Sequence, residues 1–148
     1  MQNKQTLTAT IAVRNASNAI EFYKNVFGAE ELLRVSGKDG RIHHSKLQIG
    51  NSIFFLTDEF PEMPDTGRAP ETLAGTTIAF YLYVDNADEV FTRSVQAGAT
   101  ALRNVADQIW GDREGLVRDP FGHLWAIAMQ KEFVSDQEIK QRQLKESE

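Results

Sequence analysis

The chain has 148 residues, of which 41% are hydrophobic and 25% charged, so it is long enough for one compact domain or two half-domains that share a core. Its formal net charge of −5 gives no electrostatic reason to bind nucleic acid, and the absence of cysteine excludes disulfides and thiolate chemistry. With no apolar stretch near the ~20 residues that cross a bilayer and no apolar signal core at the N-terminus, we expect a cytoplasmic protein that does not contact membranes.

Residues 1–57 predict a first module with the order strand, helix, strand, strand, strand. A β-prone run at 8–13 precedes a helix over 17–27, whose apolar residues recur at helical spacing and which ends at Gly28. Three further strands are predicted between glycine-containing turns, at 31–36, 43–49 and 52–57.

Residues 58–75 interrupt this pattern and predict a connector. The segment holds three of the four prolines and has no sustained periodicity. A connector of this length is either a functional lid or a plain linker. The carboxylate pair Asp58-Glu59, like Glu30-Glu31, lies at a strand or loop boundary, where solvated surface charge is commoner than an acid–base pair.

Residues 76–130 predict a second module with the same order of elements. A strand at 77–84 leads into a helix at 87–97, which stops at Gly98. Strands are predicted at 100–105, 110–118 and 124–129. The polar tail, 131–148, contains the capping-box sequence Ser135–Glu138 and predicts a helix that is marginal alone, so it either crosses a partner subunit or frays.

An internal repeat relates the two modules. Residues 13–29 match residues 84–99, with the shared asparagines Asn15 and Asn86 and a Gly-Ala pair at the end of each copy. Each copy of such a repeat is one supersecondary unit that packs against its twin. We therefore predict an α+β fold in which two βαβββ modules form a curved mixed sheet with helices on the outer face.

Strand alternation predicts an aromatic cavity wall on the inner face. In the strand at 77–84, the side chains of Tyr81 and Tyr83 alternate with an aliphatic set that belongs under the helices. Phe55 shares the inner face by the same parity, and Trp110 is a candidate stacking plate for a flat ligand. Trp125 has the opposite parity and is predicted to lie in the core.

Two segments carry a family resemblance. The helix sequence AIEFYKNVFGAE (19–30) and the closing sequence WGDREGLVRDPFGHLWAI (110–127), together with the repeat, resemble the vicinal oxygen chelate superfamily. This superfamily includes glyoxalase I, extradiol dioxygenases, fosfomycin-modifying enzymes and bleomycin-resistance proteins. The resemblance covers roughly residues 6–130 and implies paired βαβββ modules and a homodimer, although the fold hosts many unrelated activities.

The resemblance also locates the metal positions of the enzymes, and this chain departs from them. Matching residue by residue places the four ligand positions at Thr8, Phe55, Ala79 and Ala126. None of these is a strong ligand for a divalent metal. We therefore expect no metal and no cofactor.

Three histidines and two arginines are further candidates. His43 and His44 are adjacent in a strand, so they face opposite ways and cannot chelate one ion together, and a three-histidine site with His123 would need assembly across subunits. Arg113 and Arg118 could place a guanidinium at the cavity rim or form ordinary ion pairs. The predicted ligand contacts are Phe55, Tyr81, Tyr83, Trp110, Arg113, Arg118 and His44.

Three hypotheses for function follow. The favoured one is a metal-free protein of the glyoxalase or bleomycin-resistance type that sequesters an aromatic or apolar small molecule rather than converting it. The alternative is a metal-dependent lyase, isomerase or transferase of the same superfamily with a displaced site. The third is an interaction module whose cavity is filled by its own side chains.

Overall fold

The structure is a computed structural model that describes residues 5–148. The chain divides into two compact units, Met1–Thr76 and Thr77–Glu148. Each unit builds its own four-stranded mixed sheet, which confirms the predicted α+β fold of two βαβββ modules. Within the described residues, no helix is long and apolar enough to span a membrane.

The first unit follows the predicted order of elements. Its strands and helices are β1 (Thr10–Val13), α1 (Ala16–Phe27), β2 (Glu30–Ser36), β3 (Ile42–Ile49), β4 (Ser52–Asp58) and the short α2 (Pro70–Leu73). The strands are arranged β1-β4-β3-β2, with β1 parallel to β4 and the other pairs antiparallel. Helix α1 covers one face, where Tyr23 is fully buried and its ring meets Phe54 edge-on at 5.9 Å between centroids.

The second unit repeats this topology. Its elements are β5 (Ala79–Tyr83), α3 (Ala87–Gln96), β6 (Thr100–Asp107), β7 (Asp112–Arg118), β8 (Leu124–Gln130) and a C-terminal helix, α4 (Asp136–Glu146). The strand order is β5-β8-β7-β6, and β5 is parallel to β8. Strand β7 begins two residues later than predicted, so Trp110 lies in the turn before it.

The two asparagines shared by the repeat cap the first turns of α1 and α3. The side chain of Asn15 accepts a hydrogen bond from the backbone N–H of Asn18, and Asn86 accepts one from Glu89. Such a cap satisfies a backbone donor that has no partner within the helix. At the other end of α1, Gly28 adopts a left-handed conformation with φ of 69°.

One close contact identifies the side of the second sheet that faces α3, and the buried Trp125 has the same parity. A Cβ built on Gly115 of β7 would approach the Phe91 ring of α3 to 2.8 Å. Trp125 of β8 is buried, and its indole N–H donates to Asp119 at 2.9 Å, so the prediction of a core tryptophan is confirmed. Odd-numbered residues of β7 and β8 therefore face α3, and even-numbered residues face away from it.

Two acids at the end of β4 are buried, so the expected solvated surface role of Asp58-Glu59 is wrong. Asp58 accepts hydrogen bonds from the backbone N–H groups of Ala16 and Ile42, at 2.8 and 2.7 Å. Glu59 accepts from the backbone of Ala69 and the hydroxyl of Thr72. Both carboxylates are 8% exposed, because they satisfy backbone donors that burial would otherwise leave without partners.

Candidate functional site

The second sheet carries a cluster of three aromatic side chains joined by hydrogen bonds. The Tyr81 hydroxyl lies 2.6 Å from Asp112 Oδ2, and the Tyr83 hydroxyl lies 2.7 Å from the same oxygen. The indole N–H of Trp110 donates to the Tyr81 hydroxyl at 2.9 Å. Because that hydroxyl then donates its single proton, a continuous chain of hydrogen bonds runs from Trp110 through Tyr81 to Asp112.

Two buried carboxylates lie at the hydroxyl ends of the tyrosine rings. Asp112 is 4% exposed and Glu114 is 2% exposed. The Tyr81 hydroxyl also lies 3.0 Å from Glu114 Oε2, while Glu114 Oε1 pairs with the guanidinium of Arg103. Within residues 5–148 no cation pairs with Asp112, whose hydrogen-bond donors are the two phenols. We call Tyr81, Tyr83, Trp110, Asp112 and Glu114 the acidic tyrosine face.

Small residues on β8 make this arrangement possible. Tyr81 pairs with Ala126 and Tyr83 with Ala128, and Ala128 in turn pairs with Glu114 of β7. Both alanines are buried and lie on the same face as the tyrosines. A methyl group at each position leaves room for a phenol to extend across β8 and reach a carboxylate on β7.

The tyrosine rings remain accessible although their hydroxyls are fixed. Tyr81 is 45% exposed and Tyr83 is 61% exposed, with ring centroids 5.3 Å apart. Burial, and then the hydrogen bond to Asp112, raises the pKa of Tyr81 well above its ordinary value. The hydrogen bond to Asp112, and then burial, raises the pKa of Tyr83. Both phenols are therefore neutral donors at physiological pH.

The two candidate arginines lie on opposite sides of β7. Arg113 faces α3, where its guanidinium pairs with Asp88 of that helix at 2.8 Å and with Asp107 at 3.1 Å. Both carboxylates raise the pKa of Arg113 further above its usual range. The structure therefore does not bring Arg113 together with the tyrosines, because strand alternation turns it to the other face. Arg118 is exposed at the end of β7 and shares the parity of Asp112 and Glu114.

The remaining predicted contacts lie in the first unit. His44 and Phe55 share the sheet face opposite α1, and their rings meet at 4.8 Å between centroids. His43 has the opposite parity and packs against Phe60 of the connector, 4.5 Å between centroids. The two adjacent histidines thus point to opposite faces of β3, as alternation requires.

Asp112 and Glu114 are the functional candidates that the sequence interpretation missed. Alternation within β7 puts both acids on one face and Arg113 on the other. The remaining signal is Gly115, whose lack of a side chain marks the side on which a helix approaches. Together these two features would have placed both carboxylates opposite α3 and hence beside Tyr81 and Tyr83.

Comparison with known proteins decides the family. The model of the Glyoxalase/Bleomycin resistance protein/Dioxygenase superfamily matches residues 6–127. The chain belongs to this superfamily. The match spans both modules, so membership explains the repeated topology as well as the two motif segments.

Relatives in the superfamily include proteins of bacteria and plants. An uncharacterised protein of Mycobacterium bovis is 39% identical over 135 residues, which is 90% of this chain and 89% of the relative. The crystal structure of TioX from Micromonospora sp. ML1 has a TM-score of 0.64 and 30% identity, covering 86% of this chain and 99% of TioX. An Arabidopsis thaliana structure has a TM-score of 0.68 and 26% identity, covering 85% and 99%.

The metal positions that the superfamily resemblance implies do not fit a metal here. Phe55, Ala79 and Ala126 lie on β4, β5 and β8 and offer an aromatic ring and two methyl groups, and Thr8 precedes β1. Hard and borderline divalent ions need carboxylate, imidazole or thiolate ligands at several of these positions. Among residues 5–148, no three His, Asp or Glu side chains are grouped to hold a metal ion.

Proposed function

We propose that this superfamily member binds and sequesters an aromatic small molecule on the acidic tyrosine face without a metal ion. One observation carries the proposal: two accessible tyrosine rings are held in fixed orientation by hydrogen bonds to buried acids, and Trp110 is held by its hydrogen bond to Tyr81. A preorganised aromatic surface loses little side-chain entropy when a flat ligand stacks on it. Each Å² of apolar surface removed from water contributes about 25 cal/mol.

The carboxylates at the hydroxyl ends of the rings favour a ligand that carries a positive charge. Arg103 balances the charge of Glu114, whereas Asp112 accepts hydrogen bonds from two neutral hydroxyls and pairs with no cation within residues 5–148. A cation over an aromatic ring gains roughly 0.5–2 kcal/mol. It also offsets part of the cost of keeping the Asp112 carboxylate out of water. An aromatic ligand with a protonated nitrogen combines both contributions.

The residues at the superfamily's metal positions support binding without a metal. Two methyl groups and a phenyl ring at three of these positions supply neither metal ligands nor acid–base chemistry. The cytoplasmic location and the homodimeric state stay predictions from the sequence. A homodimer would be tested by light scattering coupled to size-exclusion chromatography.

Fluorescence titration tests the proposal. The chain has two tryptophans, and Trp110 is the one on the acidic tyrosine face. We expect planar aromatic cations to change the emission saturably, in protein treated with chelator as well as in untreated protein. The variant Trp110→Phe, which retains Trp125, should lose that change. The proposal would be overturned if none of a panel of planar aromatic cations gave a saturable change in emission or a heat of binding. Binding that appears only after a divalent metal is added would also overturn it.

A further inference from the structure

The C-terminal helix α4 has no buried residue, so something other than an apolar face must hold it in place. Ser135 caps its first turn by accepting a hydrogen bond from the backbone N–H of Glu138. Arg142 supplies a tertiary contact: Nη1 donates to the backbone carbonyl of Ile109 at 2.9 Å and to Glu132 at 3.0 Å. Its Nε donates to Glu138 at 3.2 Å, which links the guanidinium to the first turn of α4.

Ile109 immediately precedes Trp110 in the turn between β6 and β7. The backbone N–H of Gly111 donates to the carbonyl of Gln108 at 3.2 Å and closes that turn. The carbonyl of Gly111 accepts from the backbone N–H groups of Lys131 and Glu132, at 2.9 and 3.1 Å. The residues on both sides of Trp110 are thus attached to the C-terminal segment, one through Arg142 and one through the backbone.

The two attachments differ in kind. At Gly111 the turn is held by two backbone hydrogen bonds and is closely packed, since an added Cβ would collide with the carbonyl oxygen of Glu132. At Ile109 its tie to α4 is the hydrogen bond from the side chain of Arg142. A cavity of about 280 Å³, lined by Asp112, Lys131 and Glu132 among others, lies beside the turn and leaves it room to move when that side-chain hydrogen bond is lost.

We propose that α4 belongs to the ligand site, with Arg142 as a positioning residue that holds the turn so that Trp110 stays against Tyr81. The ligand part of this inference rests on the proposed function. Arg142 acts through the carbonyl of Ile109, and the indole N–H that donates to Tyr81 reports whether the turn is in place. When the guanidinium is removed, the turn becomes more mobile. Binding of a stacking ligand then carries the additional entropy cost of ordering Trp110, which lowers the affinity.

The test compares Arg142→Gln with Lys140→Gln, which removes the same charge from the same helix at an exposed position. The readout is the pair of indole N–H resonances in a nitrogen–proton correlation spectrum, assigned with Trp110→Phe. We expect Arg142→Gln to shift or broaden the Trp110 resonance, leave the buried Trp125 resonance in place, and weaken binding of an aromatic cation about 3- to 10-fold. Lys140→Gln should change neither quantity. Ser135→Ala, which frays α4 without touching Arg142, should shift the Trp110 resonance in the same direction and by less.

An unchanged Trp110 resonance in Arg142→Gln would overturn the positioning role, whatever ligands bind. A changed resonance in a protein that binds no member of the aromatic panel would uphold the positioning of Trp110 and contradict the proposed function alone. Loss of the Trp125 resonance together with that of Trp110 would show that Arg142 acts on the whole second unit, and this result would also count against a specific role.

Discussion

At the scale of single residues, Tyr81 connects the exposed and buried parts of the candidate site. Its hydroxyl accepts from Trp110 and donates to a carboxylate, while its ring stays 45% exposed. A single proton serves two carboxylates at 2.6 and 3.0 Å, so Tyr81 donates to only one of them at a time, and Asp112 is nearer. The negative environment also explains why both phenols are harder to ionise than free tyrosine.

Alkaline titration tests this electrostatic description. Burial and Asp112 raise the pKa of Tyr81, so its hydroxyl should stay protonated at pH values where an ordinary tyrosine, with a pKa of about 10, is half ionised. A folded-state pKa above the unfolded one gives stability that is complete below the unfolded pKa and is lost as pH rises through the folded pKa. Phenolate absorbance of the native protein, compared with Tyr81→Phe, measures the shift.

The difference between the two absorbance curves should appear only at the alkaline end, above the range for free tyrosine. Tyr81→Phe should also lose less stability than the wild type when the pH is raised past 10, because it has one fewer phenol to ionise. A Tyr81 component that titrates at or below the ordinary tyrosine value would contradict the described hydrogen bonds.

At the scale of secondary-structure elements, the acidic tyrosine face depends on the register of three strands. Strand β8 lies between β5 and β7 and presents Ala126 and Ala128 between the tyrosines and the acids. Larger residues at these positions would keep the sheet intact while separating the phenols from the carboxylates. The register of the strands and the small side chains on β8 together determine whether the hydrogen bonds can form.

Ala128→Leu tests whether the acidic tyrosine face requires a small side chain on β8. The alanine is fully buried, so three additional carbons should overpack the face and destabilise the protein by about 1–3 kcal/mol. The larger side chain should also displace the phenols, which moves the alkaline titration of the tyrosines toward the ordinary value. Denaturant unfolding and phenolate absorbance measure the two effects.

Ala101→Leu is the matched control, because Ala101 is an exposed strand alanine that pairs with Val117 on the α3 side. An equal loss of stability in both variants would contradict the role of Ala128.

Local pattern was sufficient to predict the elements of the two modules, although not the short helix α2, because each depends on short-range chemistry. The repeated asparagines cap α1 and α3, and helical spacing of apolar residues marks both helices. The burial of Asp58 and Glu59 was not predictable from their own neighbourhood, since their partners Ala16, Ile42 and Ala69 are distant in sequence. The local sequence around a carboxylate at a strand end is the same whether the carboxylate faces water or a helix N-terminus.

The candidate site was predictable in part for the same reason. Alternation in β5 placed Tyr81 and Tyr83 on one face, and the structure joins them to Trp110 through hydrogen bonds. Arg113 was grouped with the tyrosines although its odd number in β7 gives it the opposite parity to Asp112 and Glu114. Which residues of β7 lie on the tyrosine side of the sheet depends on how β5 and β7 pair with β8 between them. The sequence of β7 alone does not contain that information.

At the scale of the whole molecule, membership of the superfamily fixes the fold, and the side chains of this chain decide its chemistry. The metal positions that the resemblance implies are Thr8, Phe55, Ala79 and Ala126, while acids occur on β7 at Asp112 and Glu114. Duplicated modules thus share topology but differ in the side chains on the face opposite the helix. The first unit has His44 beside Phe55, and the second has the acidic tyrosine face.

The most direct measurement is a calorimetric titration with a planar aromatic cation and its uncharged analogue of the same shape, on the wild type and on Asp112→Asn. We predict that the wild type binds the cation at least ~10-fold more tightly, a difference of about 1.4 kcal/mol. The preference should shrink in Asp112→Asn, provided that its circular dichroism and thermal unfolding match the wild type. Equal affinity of the wild type for the two compounds, or an unchanged preference in Asp112→Asn, would contradict the central claim that the acidic tyrosine face selects an aromatic cation through its buried carboxylate.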